Sequence, residues 1–328
     1  REVNQKSPLV ENEVEIRETT PTEEPFYELT VPYLRERSYE SSLGEMEVYQ
    51  ERDNYTSYLT SYNSDGLQVN GLLTIPAGEE PEGGWPGIVF VHGYIPPEEY
   101  QTSDDYDEYV DYLADREMVV FKIDLRGHGE SEGEPGGAYY SSEYIVDTLN
   151  AYSALGNAEF VNEERIGLWG HSMGGHVVFK SMVAKQDVPA VSIWAGSVYT
   201  YSDFEEYGIS DYSYEPPDED SERRRERSRL MELHGEFKAG DEFWKKVVPT
   251  NYLSGVSGAL QLNHAVNDQV VSVEYSRNLM GVLEEAETEI EHELNEYQSG
   301  GHNIASPSFE EAMSNTVEFY RENLTDNQ

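Results

Sequence analysis

The sequence predicts an α/β fold, a mostly parallel central sheet with helices on both faces, led by antiparallel strands and interrupted by one insertion. Three observations carry this. From Gly87 onward, short continuous apolar runs alternate with segments of helical spacing, the pattern of a parallel sheet covered on both sides. Before Gly87 the chain alternates apolar and polar residues on either side of Ser64-Asp65-Gly66, a hairpin signal. A Gly-x-Ser-x-Gly pentapeptide, Gly170 to Gly174, sits where an apolar run meets a helical one.

The elements follow in order. Residues 1–25 are acidic and rich in Thr and Pro, a composition that cannot bury a core and reads as a disordered tether; the folded body is expected over 26–328. Residues 45–50 and 55–62 read as strands, with 67–76 as a hairpin partner. Residues 88–91 form the first run expected to be buried on both faces. A helix is predicted over 104–116, a strand over 118–123, a helix over 141–155 and a strand over 165–169. Helix 174–186, strand 189–195, strand 259–264, helix 272–286 and strand 289–297 continue the alternation. A last amphipathic helix carries Phe309, Met313, Val317 and Tyr320. Residues 197–252 break the rhythm, being far longer than the usual connection of about 2–6 residues. This stretch holds five tyrosines within 199–214 and the run Arg223-Arg224-Arg225, and it is expected to be a lid over a site.

Composition narrows the function classes. There are 65 acidic against 22 basic residues, a net charge of −43, and seven of the bases are lysine. Such self-repulsion is screened over about 3 Å at molar salt, so the surface reads as salt-adapted. Nucleic acid and anionic membranes are argued against as partners. With no cysteine, disulfides, thiolate metal sites and a cysteine nucleophile are excluded. No apolar run approaches the roughly 20 residues of a membrane span. The chain starts at Arg1, which with the tail favours an extracellular or cell-surface-tethered protein whose leader is gone. Neither metal-ligand spacing nor a phosphate cradle is evident, and no cofactor is expected.

Ser172 is the candidate nucleophile. A serine on a sharp strand-to-helix turn needs small neighbours and projects its hydroxyl at the positive end of the following helix. It also needs a base. His302, in Ser299-Gly-Gly-His after the last predicted strand, is placed for that role; His264 is its nearest rival. His171 and His176 are expected to serve packing and the helix surface. The acid that orients the base should follow a strand between Ser and His. Asp268 does so, with Asp241 as the fallback. Two backbone N–H groups should meet the oxyanion: Met173, after the nucleophile, and Tyr94, in the Val91-His-Gly-Tyr94 loop.

The combination resembles α/β-hydrolases of the prolyl-oligopeptidase and dienelactone-hydrolase type. Its carriers are Ser64-Asp65-Gly66, Val91-His-Gly-Tyr94, Asp124-Leu-Arg-Gly-His-Gly-Glu-Ser131, Arg165-Ile-Gly, Gly170-His-Ser-Met-Gly-Gly175, Asp268 and Gly301-His302. The likeness runs from about residue 45 to the C-terminus. It leaves no room for the β-propeller of the peptidases and is nearer to stand-alone cinnamoyl and feruloyl esterases, which insert a lid at the place of 197–252. The resemblance implies an α/β-hydrolase fold, Ser172, Asp268 and His302 as a triad, and Tyr94 and Met173 as oxyanion donors.

A carboxylic-ester hydrolase working through an acyl-enzyme is the leading expectation, with a small-molecule ester as substrate. Trp194, Tyr199 and Tyr201 are expected to line its acyl pocket. A small serine peptidase acting on short peptides is the alternative. For it the arginines at 223, 224, 225, 227 and 229 offer a carboxylate clamp, although they read first as a solvated helix face. A catalytically inactive binding protein on the same fold is argued against by the intact Ser, Asp and His.

Overall fold

A computed structural model describes residues 24–324. Its strands are β1 (Glu47–Glu51), β2 (Tyr55–Ser64), β3 (Leu67–Pro76), β4 (Trp85–Val91), β5 (Val119–Ile123), β6 (Val161–His171), β7 (Ala190–Trp194), β8 (Ser257–Ala265) and β9 (Glu289–Tyr297). They form one nine-stranded sheet in the order β1-β2-β3-β5-β4-β6-β7-β8-β9. The β1–β2, β2–β3 and β3–β5 pairs are antiparallel and the rest are parallel. The β2–β3 hairpin closes through Asp65 and Gly66, both at positive φ (52° and 87°). That twist matches the flanking strands, which is why a two-residue loop suffices.

Nine helices cover the described residues: α1 (Val31–Glu36), α2 (Asp107–Ala114), α3 (Glu143–Gly156), α4 (Met173–Lys185), α5 (Tyr201–Tyr207), α6 (Glu222–His234), α7 (Glu242–Val247), α8 (Glu274–Glu285) and α9 (Phe309–Leu324). Side chains of a strand alternate between faces, and β4 shows both destinations. Val89 and Val91 join a core with α1, α3, α4 and α8, while Ile88 and Phe90 join a second core with α2 and α9. All four are fully buried, so the continuous apolar run is the mark of a central strand.

The 197–252 insertion carries α5, α6 and α7 between β7 and β8. It has a small core of its own, in which Tyr201, Leu230, Phe243, Trp244 and Val247 pack with Phe26 and Leu29 from the start of the described chain. The tether expected over 1–25 lies almost wholly outside the described residues. Among these, no helix is long and apolar enough to cross a membrane.

Two expectations need correction here. The helix predicted over 104–116 is shorter, because Tyr106 takes a left-handed φ of 64° and α2 starts only at Asp107. His176, expected on a helix surface, is fully buried with Nδ1 2.7 Å from the Val198 carbonyl. The outer side of α4 is covered by α1 and α3, so this helix has no solvent face there.

Candidate active site

The carboxyl ends of β4, β6, β8 and β9 deliver the loops that meet at the site, as expected of a parallel sheet. At the end of β6, Ser172 has φ 54° and ψ −116°, a strained conformation for a residue with a side chain. Its amide donates to the Trp194 carbonyl at 2.9 Å and its carbonyl accepts from Gly175 N–H at 2.9 Å. The turn is that tight because its neighbours lack side chains. A Cβ on Gly174 would come within 2.4 Å of the Val91 carbonyl oxygen, and one on Gly170 within 2.5 Å of the Gly174 carbonyl oxygen.

Asp268 follows β8 and has a fully buried side chain. Oδ1 accepts the amides of Val270 and Val271 at 2.8 and 3.1 Å, and Oδ2 lies 2.8 Å from His302 Nδ1. Burial alone would raise this carboxyl's pKa, but hydrogen bonds from His264 and His302 outweigh it and hold the group well below the usual carboxylate range. The carboxylate is therefore ionised and accepts only, so Nδ1 of His302 carries the proton and Nε2 is left with its lone pair. The side chain of His302 is 19 % exposed, on a short turn at Gly301–Asn303 anchored by Gly301 N–H to Asn267 Oδ1 at 3.0 Å.

His264 is fully buried behind Asp268. Its Nε2 is 3.3 Å from Asp268 Oδ2 and 3.1 Å from the Val271 carbonyl, and its Nδ1 is 2.8 Å from Ser276 Oγ. Two acceptors at Nε2 put the proton there, so His264 donates to the Asp268 carboxylate from behind. Asp241 is elsewhere: it caps α7, accepting the Phe243 and Trp244 amides at 2.9 and 3.2 Å.

The loop after β4 lies directly against Ser172. A Cβ on Gly93 would meet Tyr106 Oη at 2.8 Å, His171 Nδ1 at 2.9 Å and the Ser172 Cβ at 3.2 Å. Only glycine lets this backbone approach so closely, which brings Tyr94 to the same cavity as Ser172. Met173 is the first residue of α4, so its amide is one of the helix-terminal donors without an intrahelical partner.

The cavity holds about 330 Å³ and is bordered by Tyr94, Ile95, Tyr106, Tyr109, Ser172 and His302, with Asp211 and Ser213 contributed by the insertion. Tyr94 also joins the insertion directly, its hydroxyl accepting Glu215 N–H at 3.1 Å. Trp194, Tyr199 and Tyr201, expected in the acyl pocket, are not on this wall; all three are almost completely buried. Trp194 sits in β7 with its Nε1 donating to Thr316 Oγ1 at 3.1 Å, Tyr199 packs on Phe179, and Tyr201 joins the insertion core. The site's aromatics are instead Tyr94, Tyr106 and Tyr109.

Sequence reading also missed a relay. Gly93 N–H donates to Tyr106 Oη at 2.9 Å, Tyr106 Oη lies 2.7 Å from His171 Nδ1, and His171 Nε2 lies 3.0 Å from the His302 carbonyl. A carbonyl only accepts, so His171 carries its proton on Nε2 and accepts a hydrogen bond from the Tyr106 hydroxyl at Nδ1. Burial, reinforced by the nearby His302, pushes the His171 pKa down to about 3. Tyr106, Tyr109 and Tyr112 at helical spacing look like an ordinary packing face in sequence, and nothing there points to this role.

Fold and site together define an α/β-hydrolase, a serine-hydrolase class. The chain belongs to the family described as BAAT / Acyl-CoA thioester hydrolase C terminal, matched over residues 149–324. Residues 87–203 also match the family described as Serine aminopeptidase, S33. An uncharacterized protein of Salmonella typhi, YfhR, is 30% identical over 125 residues, which is 38% of this chain and 39% of that protein. The chain thus aligns with well under half of that relative's length. An uncharacterized peptidase of Bacillus subtilis, YtmA, is 26% identical over 238 residues, covering 71% of this chain and 82% of the relative. Acetyl xylan esterase 1 of a Thermoanaerobacterium species superposes with a TM-score of 0.61 at 17% identity, covering 88% of this chain and 91% of the other. At that identity the likeness is one of fold.

Proposed function

We propose that this protein hydrolyses carboxylic esters through an acyl-enzyme. Ser172 is the nucleophile, His302 the general base, Asp268 the acid that orients it, and the amides of Tyr94 and Met173 the oxyanion donors. The observation that carries this reading is the 2.8 Å bond from His302 Nδ1 to Asp268 Oδ2, which leaves Nε2 basic in the cavity that holds Ser172. Ser172 Oγ attacks the ester carbonyl carbon while His302 Nε2 takes its proton. The oxyanion accepts from the two amides, and the ionised Asp268 stabilises the imidazolium. Collapse breaks the C–O bond, and His302 returns the proton to the departing alkoxide. Water, deprotonated by the same nitrogen, then releases the acid and restores Ser172.

Peptide hydrolysis is the second reading, favoured by the serine aminopeptidase match and the peptidase relative. We assign the insertion the part of a lid, supported by Asp211 and Ser213 on the cavity wall. The −43 charge supports adaptation to concentrated salt, and the acidic, Thr- and Pro-rich composition of residues 1–25 supports a tether.

The test is a panel of p-nitrophenyl esters beside aminoacyl-p-nitroanilides in high salt, with a fluorophosphonate probe. Ester turnover with labelling at Ser172 alone is expected. Labelling at another residue, or activity of Ser172→Ala above about a thousandth of wild type, overturns the assignment. Preferential anilide cleavage moves the reading to a peptidase.

A further inference from the structure

We propose that a second cavity beside the Ser172 site is a carboxylate-binding subsite, with Arg223 as its anchor and Arg227 beside it. The proposal deepens the hydrolase reading and rests on it: the substrate would be an ester or amide bearing a carboxylate on an apolar or aromatic arm.

This cavity, of about 1010 Å³, lies between α6 and the 126–143 connection, with apolar wall residues that include Phe26, Leu29, Tyr140, Pro216 and Met231. An aromatic contact joins its wall to that of the smaller cavity. Tyr214 lines the large cavity and Tyr94 the small one, and their ring centroids are 5.4 Å apart.

With 65 acids for 22 bases, a cation that has no carboxylate partner stands out. Four arginines line this wall. Arg126 is taken by Asp147 at 2.7 Å and Glu143 at 3.6 Å, and Arg224 by Glu219 at 3.7 Å. Among the described residues, Arg223 and Arg227 have no carboxylate oxygen within 4.0 Å. Glu143 attracts Arg223 at longer range, but no glutamate of the wall forms an ion pair with either arginine. Glu143 and Glu226 are held by Arg126 and Arg229, and Glu28, Glu134 and Glu222 form no ion pair with either arginine.

Arg223 is also off the solvated helix face, being half-buried where the residues after it are exposed. Its guanidinium lies against Gly137, where a Cβ would come within 3.3 Å of Nε. Arg227 lies over the Tyr140 ring at 4.5 Å. A guanidinium presents parallel N–H donors that match a carboxylate. The protein's overall field repels anions, so capture of an anionic substrate depends on such a local cation. Apolar walls favour a carboxylate on a hydrocarbon arm over a fully hydrated anion.

Two matched ester pairs test this and locate the carboxylate. Mono-p-nitrophenyl glutarate against p-nitrophenyl valerate places it on the acyl side; p-acetoxybenzoate against phenyl acetate places it on the leaving side. On at least one arm, Arg223→Met is expected to lower the charged-to-neutral ratio of kcat/KM about tenfold, the worth of one charge-assisted hydrogen bond. The loss should appear in KM, with part of it restored by Arg223→Lys. A ratio that Arg223→Met leaves unaltered on both arms overturns the subsite. Calorimetric binding of monomethyl glutarate and p-hydroxybenzoate to Ser172→Ala separates the two proposals. Binding that weakens on adding Arg223→Met, in a protein whose wild type cleaves no ester, keeps the subsite and sinks the ester-hydrolase reading. Binding that is absent or indifferent to Arg223, beside active ester turnover, does the reverse.

Discussion

His171 ties three loops of the candidate site together, and its chemistry explains how. As a neutral, buried imidazole it has one donor and one acceptor, and it spends them on the His302 carbonyl and the Tyr106 hydroxyl. Tyr106 in turn holds the amide of Gly93, next to the proposed oxyanion donor Tyr94. Tyr106→Phe therefore strands two buried polar groups, each at a cost of about 1–3 kcal/mol. We predict a fall in kcat/KM of about a hundredfold from displacement of the base and oxyanion loops, with the far-UV circular dichroism spectrum retained. A Tyr106→Phe enzyme with wild-type kinetics would remove the relay from function. For the acid, Asp268→Asn should cost on the order of 10⁴ in kcat by upsetting the His302 tautomer. Asp241→Asn should touch only the α7 cap, with about 1 kcal/mol or less of stability lost. Steady-state rates and melting curves of the two variants decide between the carboxylates. At this scale the placement of Ser172 on a strand-to-helix turn and the pairing of His302 with Asp268 were legible, because strand-to-helix glycines, chain order and loop position are local features of sequence. Three aromatics were misread: Tyr201 lies in the core of the insertion, whose fold no local pattern encodes, whereas Trp194 and Tyr199 pack into the body, Trp194 on the α9 side of β7 and Tyr199 against Phe179 of α4.

Among the elements, α4 carries the clearest conflict between burial and charge. Lys180 is buried on this helix and its Nζ donates to the Leu29 carbonyl at 2.8 Å. Burial lowers its pKa from 10.5 to about 7. Between those two values the unfolded chain binds a proton that the folded chain does not, so this residue's contribution to stability rises with pH across that window. Below about pH 7 the full penalty of a buried ammonium applies. Lys180→Met removes the titration while keeping the bulk. We predict that its melting temperature, measured relative to wild type, is highest near pH 7 and declines steadily toward pH 10. Taking the difference cancels the buried tyrosines, which titrate in both proteins. A difference independent of pH would show that Lys180 is solvated. The contact with Leu29 also explains why the insertion was only half legible. Its helical stretches show in the sequence, but its core is completed by Phe26 and Leu29, far away in the chain and next to a segment whose composition is that of a tether.

Over the whole molecule, charge and topology are distributed in a consistent way. The alternation of apolar runs and helices predicted the parallel sheet, because strands buried on both faces are apolar at most positions, with Lys122, Ser192, Gln261 and Asn263 as buried polar exceptions. Both edges of that sheet carry glutamates: Glu47 and Glu51 on β1, and Glu289, Glu291 and Glu293 on β9. Charged edges discourage strand-to-strand association between molecules. They also add to the −43 total, which few lysines offset. Carboxylates repel over a Debye length of about 10 Å at 0.1 M ionic strength and about 3 Å at 1 M. Folding draws those charges together, so the native state bears more repulsion than the expanded chain, and screening favours it. We predict that melting temperature and ester turnover both rise steeply with NaCl up to molar concentration. Salts excluded from the surface also strengthen apolar burial, so the comparison is NaCl against an isosmolar neutral osmolyte, which reproduces exclusion without screening. A larger rise in NaCl than in osmolyte identifies screening as the cause. A melting temperature that stays flat between roughly 0.1 and 2 M NaCl, across the range over which the Debye length collapses, rules out salt adaptation while leaving the Ser172 site untouched.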